Sequence, residues 1–250
     1  MQNKICIFVL SNHRSGTSAT CGCLNICGID YGKSKHPFGK KGSEWNEKGY
    51  FENTAFSGKH DEILKSIGQH WTNPHDITKE QDDALYSHQE YKSQIIKLIE
   101  EEFHTDIFYI KDPRILFLYP VYVNVLKETG ITPYFLWVQR DVNAIVKSLW
   151  RRGHTGWEGN KELGVKHHEK HKKRFKDFLS VCVSENIPYK FSITKYSSLV
   201  SQPLAELKKM DEVLNLGLIN KKEESIQDLV NSKRTEERVE EFIDSRLKHF

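Results

Sequence analysis

The chain predicts an α/β fold, a central and mostly parallel β-sheet covered by helices on both faces. Two observations carry that expectation. Short apolar runs at Ile5–Leu10, 107–110 and 133–139 have the length and the β-branched and aromatic content of strands buried on both sides. Each run ends in polar turn residues, and segments with helical spacing of apolar residues lie between them. At 250 residues, 38% hydrophobic and 28% charged, the chain is long enough for one sizeable core. Residues 1–250 therefore read as a single domain, with no internal repeat and no low-complexity linker.

The elements follow in order. Ile5–Leu10 runs into Ser11-Asn12-His13-Arg14-Ser15-Gly16-Thr17-Ser18, and 19–27 is small and apolar enough for a packed helix. That helix carries Cys21, Cys23 and Cys27. The chain has five cysteines, and no second cluster offers a fourth metal ligand at a familiar spacing. They read as reduced core residues, small hydrophobes rather than ligands. The Gly- and Lys-rich stretch 38–49 reads as a loop over the site, with a helix beginning near Asn53. Residues 71–83 read as loop and 85–103 as one long helix. Asp112 is a good N-cap and Pro113 suits a first helical position, while Pro120 should kink or end the first part of the helix that follows Arg114. In 142–150 the apolar positions Val142, Ile145, Val146 and Leu149 give a helix. Residues 162–183 read as a long helix, and 235–247 as a charged helix that either packs on the rim or is partly mobile.

The loop after the first strand is the most informative segment. Strand, tight polar loop and helix start form the context in which backbone N–H groups and a helix N-terminus collect phosphate oxygens. Gly16 lets the backbone approach, and Ser15, Thr17 and Ser18 add hydroxyl donors. Against the nucleoside-triphosphatase pattern G-x-x-x-x-G-K-[ST], Ser11 replaces the first glycine and Thr17 the lysine, with Gly16 and Ser18 retained. The positive charge sits instead at Arg14. No acidic strand end completes a Mg²⁺ site, so the pattern speaks against ATP or GTP hydrolysis.

A second segment points the same way. Arg140 follows the strand 133–139, and Ser148 lies eight residues on, about two helical turns away. An arginine at a strand end can clamp a phosphate with its planar fork, and a serine on the facing helix can donate to the same group.

With these motifs in place, the chain resembles the P-loop sulfotransferases that use 3′-phosphoadenosine 5′-phosphosulfate (PAPS). Arg14-Ser15-Gly16-Thr17-Ser18 resembles their 5′-phosphosulfate loop, and Arg140 with Ser148 their 3′-phosphate pair. The likeness is to the bacterial and Golgi-type branch, which carries Arg-Ser-Gly-Thr. Asn46-Glu47-Lys48-Gly49-Tyr50-Phe51-Glu52, with Trp71 and Pro74, is similar to the Asn-x-Lys-Gly-Tyr-x-Glu segment of bacterial members. Lys111-Asp112-Pro113-Arg114 is similar to their Lys-x-Pro-Arg element, and 189–218 to their late strand and helix. The resemblance spans residues 5–218 and leaves 219–250 as a helical C-terminal extension. Ser11 at the first-glycine position departs from the pattern and would reshape the loop.

The resemblance implies transfer of a sulfuryl group from PAPS to a hydroxyl or amine of an acceptor, by in-line displacement and with no metal required. The protein's task is then positioning and electrostatic stabilisation. Arg14, with the N–H groups of Ser15, Gly16, Thr17 and Ser18, is expected to hold the 5′-phosphosulfate, and Arg140 and Ser148 the 3′-phosphate. Glu52 is the first candidate for the general base and His60 the second; the alternative for Glu52 is a favourable charge at a helix N-terminus. Lys111 is expected either to neutralise the sulfuryl oxygens or to flank a helix as a simple charge. Arg114 pairs with Asp112 or lines the pocket. Trp45, Trp71 and Trp157 are candidates for stacking on adenine or a sugar, with core packing as the alternative, and 232–234 for a late basic contact.

The rest of the chain sets limits. The basic run 166–174 is not H-E-x-x-H, because one residue separates Glu169 from His171. His167 and His171 share a helix face at i, i+4, yet the run reads as a solvated face that steers an anionic acceptor or keeps the chain soluble. A net charge of +3 is too modest to imply nucleic acid. Residues 1–10 are too short for a signal h-region and no apolar run reaches spanning length, so the cytoplasm is expected. Two rivals remain, an ATP-dependent small-molecule kinase and a non-catalytic nucleotide-binding protein. Acceptor specificity falls to 31–49, 71–83 and the segment after Arg151. A small molecule, a glycan, a glycolipid or a peptide tyrosine would each be compatible, and the oligomeric state is not legible.

Overall fold

The structure is a computed structural model that describes residues 3–35, 49–71, 76–151 and 161–217. The expectations for 38–48, Trp45, Pro74, Trp157, 232–234 and the extension 219–250 lie outside the described residues.

Among the described residues four strands form one sheet, β1 (Ile5–Leu10), β2 (Ile107–Lys111), β3 (Thr132–Gln139) and β4 (Lys190–Lys195), in the order β2-β1-β3-β4 and parallel throughout. Strand β1 lies at the centre because it can be buried on every side. Its register sets Ile5 beside both Ile107 and Thr132, and Val9 beside both Lys111 and Leu136. Alternate residues face opposite layers. Cys6, Phe8 and Leu10 join Phe135 and Trp137 in one core; Ile7 and Val9 join Tyr134, Leu136 and Val138 in the other. The chain is thus an α/β protein with helices on both faces, as the strand patterns imply.

The first core is closed by α2 (Thr54–Ser66), α3 (Lys79–Ser87), α4 (Gln89–Glu102), α5 (Tyr119–Thr129) and α7 (Lys161–Ser184). The second is closed by α1 (Thr17–Ile26), α8 (Tyr196–Ser201) and α9 (Pro203–Leu214). Helix α6 (Val142–Arg151) packs on α7. A fully buried side chain of the size of Phe8 or Phe178 contributes about 2 kcal/mol through area removed from water. None of the five cysteines forms a disulfide, and four of them are buried. No helix among the described residues is long and apolar enough to cross a membrane.

Three local expectations are corrected. The long helix 85–103 is two helices, because His88 is extended (φ −79°, ψ 93°) and its ring Nδ1 accepts from Tyr91 N, capping α4. Helix α3 itself reaches back into the expected loop 71–83, since Thr78 and Gln81 form a reciprocal capping box. After Asp112, which caps as expected, a short 3-10 helix Pro113–Leu116 forms, and Pro120 then opens α5 in its first turn.

A fourth correction concerns the basic run on α7. His167, His168, His171 and Arg174 are all buried, with His171 only 1% exposed, while Lys166, Glu169, Lys172 and Lys173 face out. Positions 167, 171, 174, 175, 178 and 182 make one inward stripe at helical spacing. Arg174 forks onto Asp82 at 2.6 and 2.8 Å and donates to the carbonyls of Leu116 and Phe117. Its charge ties α7 to α3 and the 3-10 turn and steers nothing.

Candidate functional site

All four strands point the same way, so the loops after β1, β2, β3 and β4 meet at one edge of the sheet. From β1 the chain crosses outward to β2, then returns past β1 to β3. The reversal opens a crevice between the ends of β1 and β3, the place where parallel α/β sheets bind ligands. The two loops beside it carry Arg14 and Arg140.

These residues converge although they are far apart in sequence. Arg140 Nη1 donates to the Arg14 carbonyl at 2.9 Å, and Arg14 Nε donates to Ser148 Oγ at 2.9 Å. The loop takes a shape few side chains allow, with Arg14 at φ 66° and Gly16 at φ 95°. Gly16 caps α1 without a side chain, leaving the first amides of the helix facing the loop. It also lies under the ring of Tyr196. A Cβ there would sit 2.1 Å from Tyr196 Cδ2, so position 16 excludes every side chain. The Arg140 guanidinium stacks on the same ring, 4.5 Å from its centroid. Tyr196 thus links the loop to Arg140. Nothing in its sequence context marked it beyond its position at the end of a strand.

Four polar atoms of the loop are buried with no hydrogen-bond partner among the described residues: Ser11 Oγ, Ser15 Oγ and both amide atoms of Asn12. Such groups cost about 1–3 kcal/mol each when unmet. Three of them can donate, which is the chemistry that phosphate oxygens satisfy. Ser11, the departure from the glycine pattern, adds to this set.

Lys111, at the end of β2, is 6% exposed. Its Nζ donates to Glu52 Oε1 at 2.5 Å, to the Tyr50 carbonyl at 3.1 Å and to Ser18 Oγ at 3.3 Å, placing an ammonium beside the loop that follows β1. Glu52 is held there by its neighbour. Asn53 caps α2 through Oδ1 and donates through Nδ2 to Glu102 Oε2 at 2.7 Å. Glu102 also accepts from the backbone of Lys33 and Ser34 and from Ser34 Oγ. Burial opposes its charge, but the Ser34, Asn53 and Lys33 hydrogen bonds overcome that and hold its carboxyl below the usual range.

Beneath this layer lies a sealed polar knot. His60 is 0% exposed, with Nδ1 2.7 Å from Asp112 Oδ2 and Nε2 2.6 Å from the Tyr122 hydroxyl. Asp112 also accepts at Oδ1 from Arg114 Nε at 2.7 Å, and Arg114 reaches Asp61 at 2.9 Å. Burial alone would raise the Asp112 pKa; Arg114, then His60, hold it below its ordinary value instead. An ionised Asp112 only accepts, so His60 Nδ1–H donates to it, and Nε2 shares a hydrogen bond with the Tyr122 hydroxyl. Both nitrogens of His60 are occupied and out of an acceptor's reach. Its expected standing as second candidate base is corrected to a structural one. Arg114 pairs with Asp112 and lies 5.8 Å from the Trp71 ring. Trp71 itself packs against the first core and against His13.

The buried histidines predict acid lability. Burial is the largest cause that pushes His167 and His168 down and His171 to about 4; Glu169 opposes it at His168 and the His167 carbonyl opposes it at His171, without overcoming it. Below the ordinary value near 6.5 the unfolded chain binds protons that the folded chain refuses, so stability falls as pH drops. His171 alone should cost about 2 kcal/mol between pH 7 and pH 5, read as a fall in Tm that His171→Gln reduces. Equal Tm values at pH 7 and pH 5 would contradict the buried placement.

No protein-family model matches the chain, and no curated protein matches it. Among solved structures it is similar to the crystal structure of sulfotransferase STF1 from Mycobacterium tuberculosis H37Rv, with 14% identity and a TM-score of 0.47 over 94% of this chain and 76% of that one. At that identity and score the likeness says nothing about what this chain acts on. No group of three or more His, Cys, Asp or Glu side chains suited to a metal occurs among the described residues.

Proposed function

We propose that this chain is a PAPS-dependent sulfotransferase acting on a hydroxyl or amine of a small-molecule or glycan acceptor. One observation carries the reading: Arg14, Ser148 and Arg140 meet at the N-terminus of α1 through the 2.9 Å hydrogen bonds from Arg14 to Ser148 and from Arg140 to the Arg14 carbonyl. The buried unmet donors of Ser11, Asn12 and Ser15 fit a ligand rich in phosphate oxygens. When bound, PAPS supplies an activated sulfuryl group with a phosphate as its leaving group.

In this reading Arg14, the loop amides and the hydroxyls of Ser15, Thr17 and Ser18 bind the 5′ end and stabilise charge on the leaving phosphate. Arg140 and Ser148 bind the 3′-phosphate and reject nucleotides that lack it. Lys111 neutralises the sulfuryl oxygens. Glu52, first candidate for the base on sequence grounds, is assigned to orienting Lys111, because its carboxylate already takes that ammonium at 2.5 Å. No metal is required. Cysteines that form no disulfide suit a reducing compartment, and the cytoplasm is the compartment proposed.

Calorimetry in EDTA tests this. Adenosine 3′,5′-bisphosphate is expected to bind at micromolar concentration or tighter, and ATP at least tenfold more weakly. Magnesium-dependent ATP binding with no response to the bisphosphate would replace the reading with a kinase. Bisphosphate binding without turnover of PAPS to any acceptor would leave a nucleotide-binding protein.

A further inference from the structure

Resting on the sulfuryl-transfer reading, the geometry points to His13 as the general base that takes the acceptor's proton, a role carried by the phosphate loop itself. His13 precedes Arg14 in the loop and is half-buried. Its ring lies 5.2 Å from Trp71, tilted against it, and 6.3 Å from His171, edge to face. Among the described residues nothing hydrogen-bonds to either ring nitrogen. That sets it apart from His60, whose nitrogens are both held, and from His171, whose Nδ1 donates to the His167 carbonyl at 2.9 Å. Of these three imidazoles it alone adjoins Arg14 in the chain and has both ring nitrogens without a hydrogen-bond partner among the described residues.

The surroundings keep it in the competent form. From β2 and the turn after it, Lys111, Asp112 and Arg114 act on the ring; from α7, His171 and His167 do so; Arg14 is its chain neighbour. Burial first, then His171, Arg114 and Lys111, push its pKa well below 6.5, with Asp112 alone opposing. A neutral imidazole at pH 7 can accept a proton, and the pKa sign fixes the pH profile. Protonation in acid removes the base, so turnover is flat above neutrality and falls as pH drops through a value under 6.5.

The step balances as follows. The acceptor oxygen or nitrogen forms a bond to sulfur while the bond from sulfur to the bridging phosphate oxygen breaks. The leaving phosphate keeps that electron pair, Arg14 and the loop amides bear its charge, and the acceptor's proton passes to His13 and on to solvent. Lys111 and Glu52 remain paired throughout.

The test uses the full chain, PAPS and water as the acceptor, so that no acceptor need be known. In His13→Asn, release of adenosine 3′,5′-bisphosphate should fall roughly 100-fold, while calorimetric affinity for the bisphosphate stays within about twofold. Added imidazole should restore part of the rate to His13→Ala, which a purely structural role would not allow. Independently of activity, diethyl pyrocarbonate at pH 7 should label His13 ahead of His60, His167 and His171, as read by peptide mass. Equal PAPS turnover in wild type and His13→Asn overturns the assignment, as does a His13 that resists the reagent. Loss of bisphosphate binding by the wild-type chain overturns the sulfuryl-transfer reading instead.

Discussion

Replacing Arg140 with alanine should weaken binding of adenosine 3′,5′-bisphosphate roughly 100-fold while leaving the fold intact. Removing one guanidinium from a partly buried charge pair with phosphate costs about 3 kcal/mol, and each 1.4 kcal/mol is tenfold in affinity. The folded state loses less. Arg140 contributes the hydrogen bond to the Arg14 carbonyl and a stack on Tyr196, together about 1–2 kcal/mol. That corresponds to a fall in Tm of several degrees in a chain of this size. Arg140→Lys keeps the charge but not the planar fork, and should recover only part of the affinity. On the proposed function ATP affinity should not change in either variant, because ATP lacks the 3′-phosphate that Arg140 would hold. A bisphosphate Kd that stays within threefold in Arg140→Ala would remove Arg140 from the site.

Asp112→Ala should do the opposite, unfolding the chain more readily without touching a ligand. Asp112 is 1% exposed and accepts from His60, from Arg114 Nε and from the Arg114 backbone. Its loss leaves a guanidinium and an imidazole buried with half their partners gone, a defect worth about 3–5 kcal/mol. The expected fall in Tm is roughly 10 °C, measured at pH 7. Tyr122→Phe, which removes only the hydroxyl on the far side of His60, should cost about 1 kcal/mol. Because the folded carboxyl is held below its ordinary value, the Asp112 contribution is present above pH 4 and is lost in stronger acid. An Asp112→Ala protein as stable as wild type would mean that the knot does not hold the 3-10 turn to α2.

How far the sequence reached depends on the range of the forces involved. The buried strands were legible because a strand covered on both faces must be apolar at every position, and Ile5–Leu10 and Thr132–Gln139 are nearly so. The turn after β1 was legible because a tight turn before a helix demands Gly16 and small hydroxyl residues locally. The break at His88 was not, because an imidazole seldom caps a helix and the flanking apolar spacing runs on through it. The inward stripe of α7 was masked by composition. His167, His171 and Arg174 follow the core spacing set by Phe175, Phe178 and Cys182, but charge and polarity argued for water.

By itself, then, the sequence determined the α/β class, the strand ends that carry Arg14 and Arg140, and the Gly16 turn, all consequences of local periodicity and backbone sterics. Only the tertiary structure decided that β1 sits centrally with the crevice beside it, that Glu52 pairs with Lys111, that His60 is sealed beneath Asp112, and that the His13 ring nitrogens have no hydrogen-bond partner among the described residues. Those facts depend on which buried polar groups find partners across tens of residues. That matching is settled by the packing of α2, α7 and the sheet against one another, and no single segment encodes it.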